Sequence, residues 1–261
     1  MIDVEALREF LLVFGLCITR MTAACTVTPF MASQLIQGRL RNSIVFSWGI
    51  IVYPIVAPTL DVTDLSTIAI IGIAVKEAML GFLIGFMASR VFWIAMSVGF
   101  FIDNQRGASM ASVFDPTAGE QTSPFGQFLQ HTIIALLYSS GGFLVFLSAL
   151  FESYLAWPIG SFTPQISDAF PGFFLEVLDD LVRTIVILAA PAIIAMLMAT
   201  FGLGLMNRFA PQLNVFFLAM PVKSLIAMIV LIVYLPFLVV HFSEQVVGAD
   251  TLFKFLGGAV P

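Results

Sequence analysis

This sequence predicts an all-α, polytopic, membrane-associated fold, and three observations carry that expectation. Of 261 residues, 60% are apolar and only 10% charged, against about 45–50% and 25% in an ordinary soluble domain, so too little polar surface exists to cover a water-soluble globule. The apolar residues gather into runs as long as, or longer than, the roughly 20 residues of helix that span a bilayer. Small residues recur at helical spacing inside those runs. Few hydrating charges accompany them, which excludes disorder as the main state. A net charge of −5 with no basic run speaks against nucleic acid as a partner.

The spans read in order as approximately 10–32, 42–60, 66–102, 122–155, 184–207 and 213–242. The first begins acidic (Asp3, Glu5, Glu9 against Arg8) and carries Arg20 inside its core, so it is read as a retained helix rather than a cleaved signal. Gln37-Gly38-Arg39 with Arg41 reads as a short basic turn, and Pro54 and Pro58 close the second span. Asp61 to Asp64 separates it from the third. Asp115-Pro116 is a helix stop, because a residue before proline avoids the α region. Ser123-Pro124 is a restart, with serine at the N-cap and proline at the first helical position. The stretch from Trp157 to Arg183 is the most polar and reads as a solvated connection; Ala210-Pro211 splits the last two helices. No low-complexity tract or linker appears, and one helical body is the simplest organisation.

Helix packing is read from two stripes. Ala74, Ala78, Gly81, Gly85 and Ala88 share one face and include a GxxxG; Ala192, Ala195, Ala199 and Gly202 form the second. Small residues let backbones approach where burial alone gives no preference over lipid. Cys17 and Cys25 are eight residues apart, about 12 Å along a helix, too far for a disulfide within it; with no CxxC pair or nearby histidine they read as packing residues.

Charges inside the apolar runs are costly, about 2.5–3.5 kcal/mol each on insertion scales. They are Arg20, Lys76, Glu77, Arg90, Asp103, Arg106, Arg208 and Lys223. Asp103 and Arg106, at i and i+3, can pair on one helix face. Lys76 and Glu77 are adjacent and point apart, so each is expected to need a partner elsewhere. Three readings stay open: an ion pathway, snorkelling to the interface, or burial of these groups against neighbouring subunits. Pro191 and Pro221 fall inside apolar helices, where each removes a backbone hydrogen bond and introduces a kink.

No catalytic constellation is present: there is no HExxH, no GxSxG with partners and no phosphate-cradling GxxxxGK[ST]. His131 and His241 stand far apart in apolar runs. No enzyme activity, cofactor or metal site is expected.

Two strings carry a family resemblance. The first is Asp103-Asn104-Gln105-Arg106-Gly107-Ala108-Ser109-Met110-Ala111-Ser112, followed by Asp115-Pro116 and Thr122-Ser123-Pro124. The second is Arg208-Phe209-Ala210-Pro211-Gln212-Leu213-Asn214-Val215-Phe216, continuing to Pro221-Val222-Lys223-Ser224. In this order they resemble the signatures of the T-type export-apparatus component of bacterial type III secretion systems, homologous to the flagellar R-type export protein. The first string is more similar to the virulence (injectisome) branch, and within it to the Yersinia-type T proteins. The resemblance covers nearly the whole chain.

It implies a non-catalytic pore and gate subunit of kinked helical hairpins in the bacterial inner membrane, passing unfolded substrate proteins. The implied assembly is a helical export gate of five R-type, four S-type and one T-type subunit, much of it lifted above the membrane plane. The U- and V-type components, the needle or inner rod, and membrane lipid are further implied partners. In those terms residues 1–183 are R-like and 184–242 an S-like helix pair within a single subunit. A pore plug falls by position in 104–122, with Asp103 and Arg106 fixing its base. Asn104, Gln105, Gly107, Met110, Val113, Phe114 and Pro116 form its lining, bend and apolar surface. Lys76, Glu77, Arg90, Arg208, Pro211, Asn214, Pro221 and Lys223 are implied subunit-contact and bend residues, and Gly81, Gly85, Ala195, Ala199 and Gly202 close-packing ones. The alternative, a secondary transporter using Lys76 or Arg208, predicts inverted repeats with broken helices in matching halves; the interior prolines of the last third have no clear early counterpart.

Overall fold

The computed structural model describes residues 4–32, 35–60, 65–108, 123–161, 170–209 and 215–247, and every regular element among them is a helix. The α-helices among the described residues are α1 (Val4–Val27), α2 (Gly38–Val56), α3 (Thr67–Arg106), α4 (Pro124–Ser140), α5 (Gly142–Ala156), α6 (Phe170–Phe209) and α7 (Val215–Val247). Short 3-10 turns, Pro29–Met31 and Ala57–Thr59, follow α1 and α2. Among the described residues four stretches are long and apolar enough to cross a membrane: Glu5–Val27, Thr67–Arg106, Pro171–Phe209 and Phe217–Val246. α4 and α5 qualify only when taken together as one broken span. At 40 residues each, α3 and α6 are about 60 Å long, roughly twice the hydrocarbon thickness.

Several boundaries differ from the sequence reading, each for a local reason. α1 starts earlier, at Val4, and its charged first turns lie on the exposed side; it stops at Thr28, whose extended backbone (φ −77°, ψ 124°) precedes Pro29. Arg39 and Arg41 belong to the start of α2, and Pro54 lies inside that helix rather than closing it. The single span expected over 122–155 is two helices, because Gly141 takes φ +81° between them, a backbone state open to glycine at no steric cost. The solvated connection expected up to Arg183 is helical from Phe170 onward. Glu176, Asp179, Asp180 and Arg183 are exposed there, while Val177, Ile185 and Leu188 are buried; the charges form the wet stripe of an amphipathic turn, which resembles a loop when only composition is weighed. α6 and α7 run on as helix through Pro191 and Pro221.

The chain divides into two compact units: Met1–Arg90 with Gly141–Phe173 and Val247–Pro261, and Val91–Ser140 with Phe174–Val246. In the first, α1 packs on α2. Phe10 meets Tyr53 and Phe14 meets Phe46, with ring centroids 5.0 and 5.2 Å apart, while Phe30 meets Phe146 of α5 at 5.1 Å. α3 crosses α1 at the GxxxG: a Cβ at Gly81 would collide with the Arg20 carbonyl, and one at Gly85 would stand 2.6 Å from the Ala24 carbonyl oxygen. That stripe brings two backbones together as its spacing predicts.

In the second unit the close crossing is elsewhere. Gly99 of α3 lies against the backbone of Phe125 and Gly126 at the start of α4, leaving no room for a Cβ. The other small stripe is buried at Ala192, half-buried at Ala195 and Ala199, and open at Gly202, where among the described residues nothing beyond its own stretch of helix comes within 4 Å of a Cβ position. Cys17 and Cys25 are buried free thiols. His131 is exposed, and His241 stacks on Phe237.

Polar side chains within the helices turn inward on their own backbone. Thr19, Ser43, Ser47, Thr132 and Thr200 each donate to the carbonyl four residues back, which hides a hydroxyl in an apolar run.

Candidate functional site

Two polar clusters interrupt the apolar interior. The first, in the unit built from α1, α2 and α5 with the start of α3, centres on Arg20. Along α3 the buried positions Ile73, Glu77, Leu80, Ile84 and Met87 recur every three or four residues, so Glu77 lies on the stripe that faces the core and must meet a partner there. Arg20 supplies it. Its Nε donates to Glu77 Oε2 at 2.6 Å and Nη2 to Oε1 at 3.0 Å. The remaining N–H groups donate to the Ser153 carbonyl at 2.7 Å, Ser153 Oγ at 3.0 Å and the Trp157 carbonyl at 2.8 Å. All five guanidinium donors are thereby used, and both charged side chains are fully buried. The guanidinium also lies 4.2 Å over the Tyr154 ring, whose hydroxyl donates to the Cys17 carbonyl at 2.7 Å.

Lys76 completes this cluster. Its Nζ stands 2.8 Å from Glu77 Oε1, so these neighbours meet after all, because the long lysine stem folds back over the helix. The same ammonium donates to the carbonyls of Pro158, Ile159 and Ser161 at 3.2, 3.0 and 2.8 Å. Lys76 and Glu77 therefore find charge partners inside this chain. Two cations face one carboxylate. The surplus positive charge rests on carbonyl oxygens at and just beyond the C-terminal end of α5, where the helix dipole favours cations.

The second cluster closes the ends of the segment between α3 and α4, within the other unit. Asp103 Oδ1 accepts from Arg106 Nε at 2.7 Å, with Nη2 at 2.6 Å. Its Oδ2 accepts from Ser123 Oγ at 2.6 Å and from the Phe125 N–H at 2.9 Å. Ser123 Oγ in turn accepts from the Gly126 N–H at 3.0 Å, the N-cap bond expected of serine before Pro124. Arg106 lies 4.5 Å over the Phe125 ring. One carboxylate in the last turn of α3 thus also binds the first turn of α4 and so joins the residues on either side of 109–122. Gly107 takes φ +91°, and a Cβ there would stand 3.6 Å from Met220 Cγ, so the end of the first signature string reaches α7 beside Pro221 of the second.

The remaining predicted residues are distributed as follows. Asn104 is exposed and Gln105 half-buried at the end of α3. Met110, Val113, Phe114 and Pro116, like Pro211 and Asn214, lie outside the described residues. Arg90 and Lys223 are half-buried, and Arg208 is exposed in the last turn of α6. The sequence reading named Arg20 only as a misplaced charge and did not single out Tyr154, Ser153 or the Gly99–Gly126 crossing. The usable signal was Arg20 itself: a cation deep in an apolar helix calls for a carboxylate on another.

Neither cluster holds a nucleophile beside a base. Among the described residues no group of three or more His, Cys, Asp or Glu side chains could hold a metal ion.

Comparison with known proteins covers most of the chain. Residues 11–248 match the family of bacterial export proteins, family 1. The chain is 45% identical over 243 residues, 92% of either chain, to the Yop proteins translocation protein T of Yersinia pestis. It is 31% identical over 230 residues, 86% of this chain and 85% of the other, to the surface presentation of antigens protein SpaR of Salmonella typhimurium. To the flagellar biosynthetic protein FliR of Bacillus subtilis it is 26% identical over 233 residues, 88% of this chain and 87% of that one. With its family match running from within α1 to the end of α7, this multi-helix membrane chain belongs to the bacterial export proteins, family 1.

Proposed function

We propose that this chain is the T-type subunit of the inner-membrane export apparatus of a type III secretion system of the injectisome branch, a structural pore and gate component that passes unfolded substrate proteins. The observation that carries the reading is the 45% identity, over 92% of both chains, to a translocation protein T. The relationship to FliR at 26% supports the shared ancestry with flagellar export. The geometry adds a reason for the first signature string: Asp103 joins the two sides of 109–122, so a plug formed by Asn104 to Thr122 would move from a fixed base.

In this reading residues 1–183 form the R-like part and 184–242 the S-like helix pair of one subunit. Its partners are R-type and S-type subunits in a five, four and one arrangement, the U- and V-type components and the needle or inner rod. Arg90, Arg208 and Lys223, with the bend around Pro211 and Asn214, dock it to neighbours. Exposed apolar side chains of α6 and α7, such as Phe201, Leu205, Ile232 and Val233, meet either those neighbours or lipid, which suits a chain stable only in company. It performs no chemistry of its own, and the driving energy comes from other components.

The test is deletion and complementation. A strain lacking this chain should secrete no substrate, the full-length chain should restore secretion, and R- and S-type subunits should co-purify with it in detergent. A stable, monodisperse monomer without those partners, or secretion that persists in the deletion strain, would sink the reading.

A further inference from the structure

We propose that Lys76 is an internal counter-cation filling a monovalent-cation site, and that the site, emptied by shortening the side chain, takes up a free ion of ammonium size. Four oxygens converge on the Lys76 nitrogen: the carbonyls of Pro158, Ile159 and Ser161 at 3.2, 3.0 and 2.8 Å, and Glu77 Oε1 at 2.8 Å. Three ammonium protons serve four acceptors, so the cage holds the nitrogen as a charge rather than by matched bonds. Backbone carbonyls arranged around a cation replace its hydration shell, as in potassium-selective filters. These are the distances of an ammonium nitrogen, so an ion of ammonium size fits the oxygens as they stand, whereas magnesium or calcium would need them drawn in to roughly 2.0–2.6 Å.

Without a cation, three carbonyls of one turn would face each other and Glu77, and the turn would open. Pro158 and Ser161 are exposed within the chain while Ile159 is 1% exposed, so Ile159 reports closure of the turn. Arg20 stays bonded to the other faces of Glu77, Ser153 and Trp157, so the turn keeps one anchor when Lys76 is shortened. This inference is independent of the export role, because its readout is local.

The experiment uses the full-length chain solubilised with its native membrane assembly, carrying Ile159→Cys as a thiol reporter; Cys17 and Cys25, both buried, give the background. With Lys76 intact, maleimide labelling should be slow in lithium, potassium, ammonium and methylammonium chloride alike. With Lys76→Ala, labelling should rise about tenfold in lithium chloride, as a locally opened turn exposes the thiol. It should fall back most of the way in ammonium or potassium chloride at equal ionic strength. If the Lys76→Ala chain is poorly recovered, its yield from membranes solubilised in ammonium rather than lithium chloride becomes the readout. Labelling or yield that is the same in every salt, whether high or low, overturns the proposal.

Discussion

The Arg20 and Asp103 clusters do similar electrostatic work under different constraints. Arg20 reaches a carboxylate 57 positions away and carbonyls 133 and 137 positions away, and it is fully buried. Asp103 gathers groups only 3, 20 and 22 positions away, beside an Arg106 side chain that is 19% exposed. The first ties three helices of one unit together and has no water to fall back on. The second joins the end of α3 to the start of α4 and caps a helix, with an arginine that is partly exposed. A long-range dry cluster should therefore govern whether the chain folds, and a local half-wet cluster should govern how one segment is held.

Six substitutions press on that contrast, beginning with the strongest. Glu77→Ala leaves Arg20 and Lys76 buried without their carboxylate, and breaking a buried pair in this way costs about 3–5 kcal/mol. The chain should be lost from the membrane fraction, as read by immunoblot; near-normal abundance would show that the carbonyl oxygens alone satisfy both cations. Next, Gly81→Ala and Gly99→Ala each force a methyl group into a backbone crossing, with about 1–3 kcal/mol of overpacking as a minimum, and should lower the unfolding temperature of the solubilised assembly. Gly202→Ala, facing open space within the chain, should not lower it unless a partner subunit covers that face.

Smaller effects should follow at the second cluster. Asp103→Ala removes the acceptor of the Phe125 N–H and the partner of Arg106 while the Ser123 cap of α4 remains, a loss of about 1–2 kcal/mol. The chain should still accumulate while substrate secretion changes, whereas abundance falling as far as in Glu77→Ala would erase the proposed distinction. Arg106→Lys keeps the charge and loses the fork, and as a partly exposed pair it should shift stability by no more than about 1 kcal/mol. A larger loss would place Arg106 in a drier environment than its 19% exposure indicates.

The legibility of these sites followed sequence distance. The Asp103–Arg106 pair was readable because helical geometry fixes what i and i+3 can do, and the Ser123-Pro124 start was readable because capping is local chemistry. The Gly81–Gly85 crossing was readable as a close approach, although its partner, α1, was not. Lys76 and Glu77 were legible in part: each has partners elsewhere in the chain, Arg20 for Glu77 and the carbonyls of Pro158, Ile159 and Ser161 for Lys76. Their contact with each other was not, because a lysine stem is long enough to return. The helical start of α6 was hidden for a related reason, since a charged stripe and a charged loop have the same composition.

Composition, run lengths and small-residue spacing by themselves determined that this is a membrane-associated helical chain with costly internal charges, and two signature strings pointed to its family. Those properties depend on transfer free energies and on periodicities a few residues long, which any stretch of chain expresses locally. Which cation meets which carboxylate, which glycine admits which backbone, and where the surplus charge comes to rest were decided only by the tertiary structure. Such choices depend on which of many apolar faces come together, and van der Waals packing between similar faces leaves little trace in the order of residues.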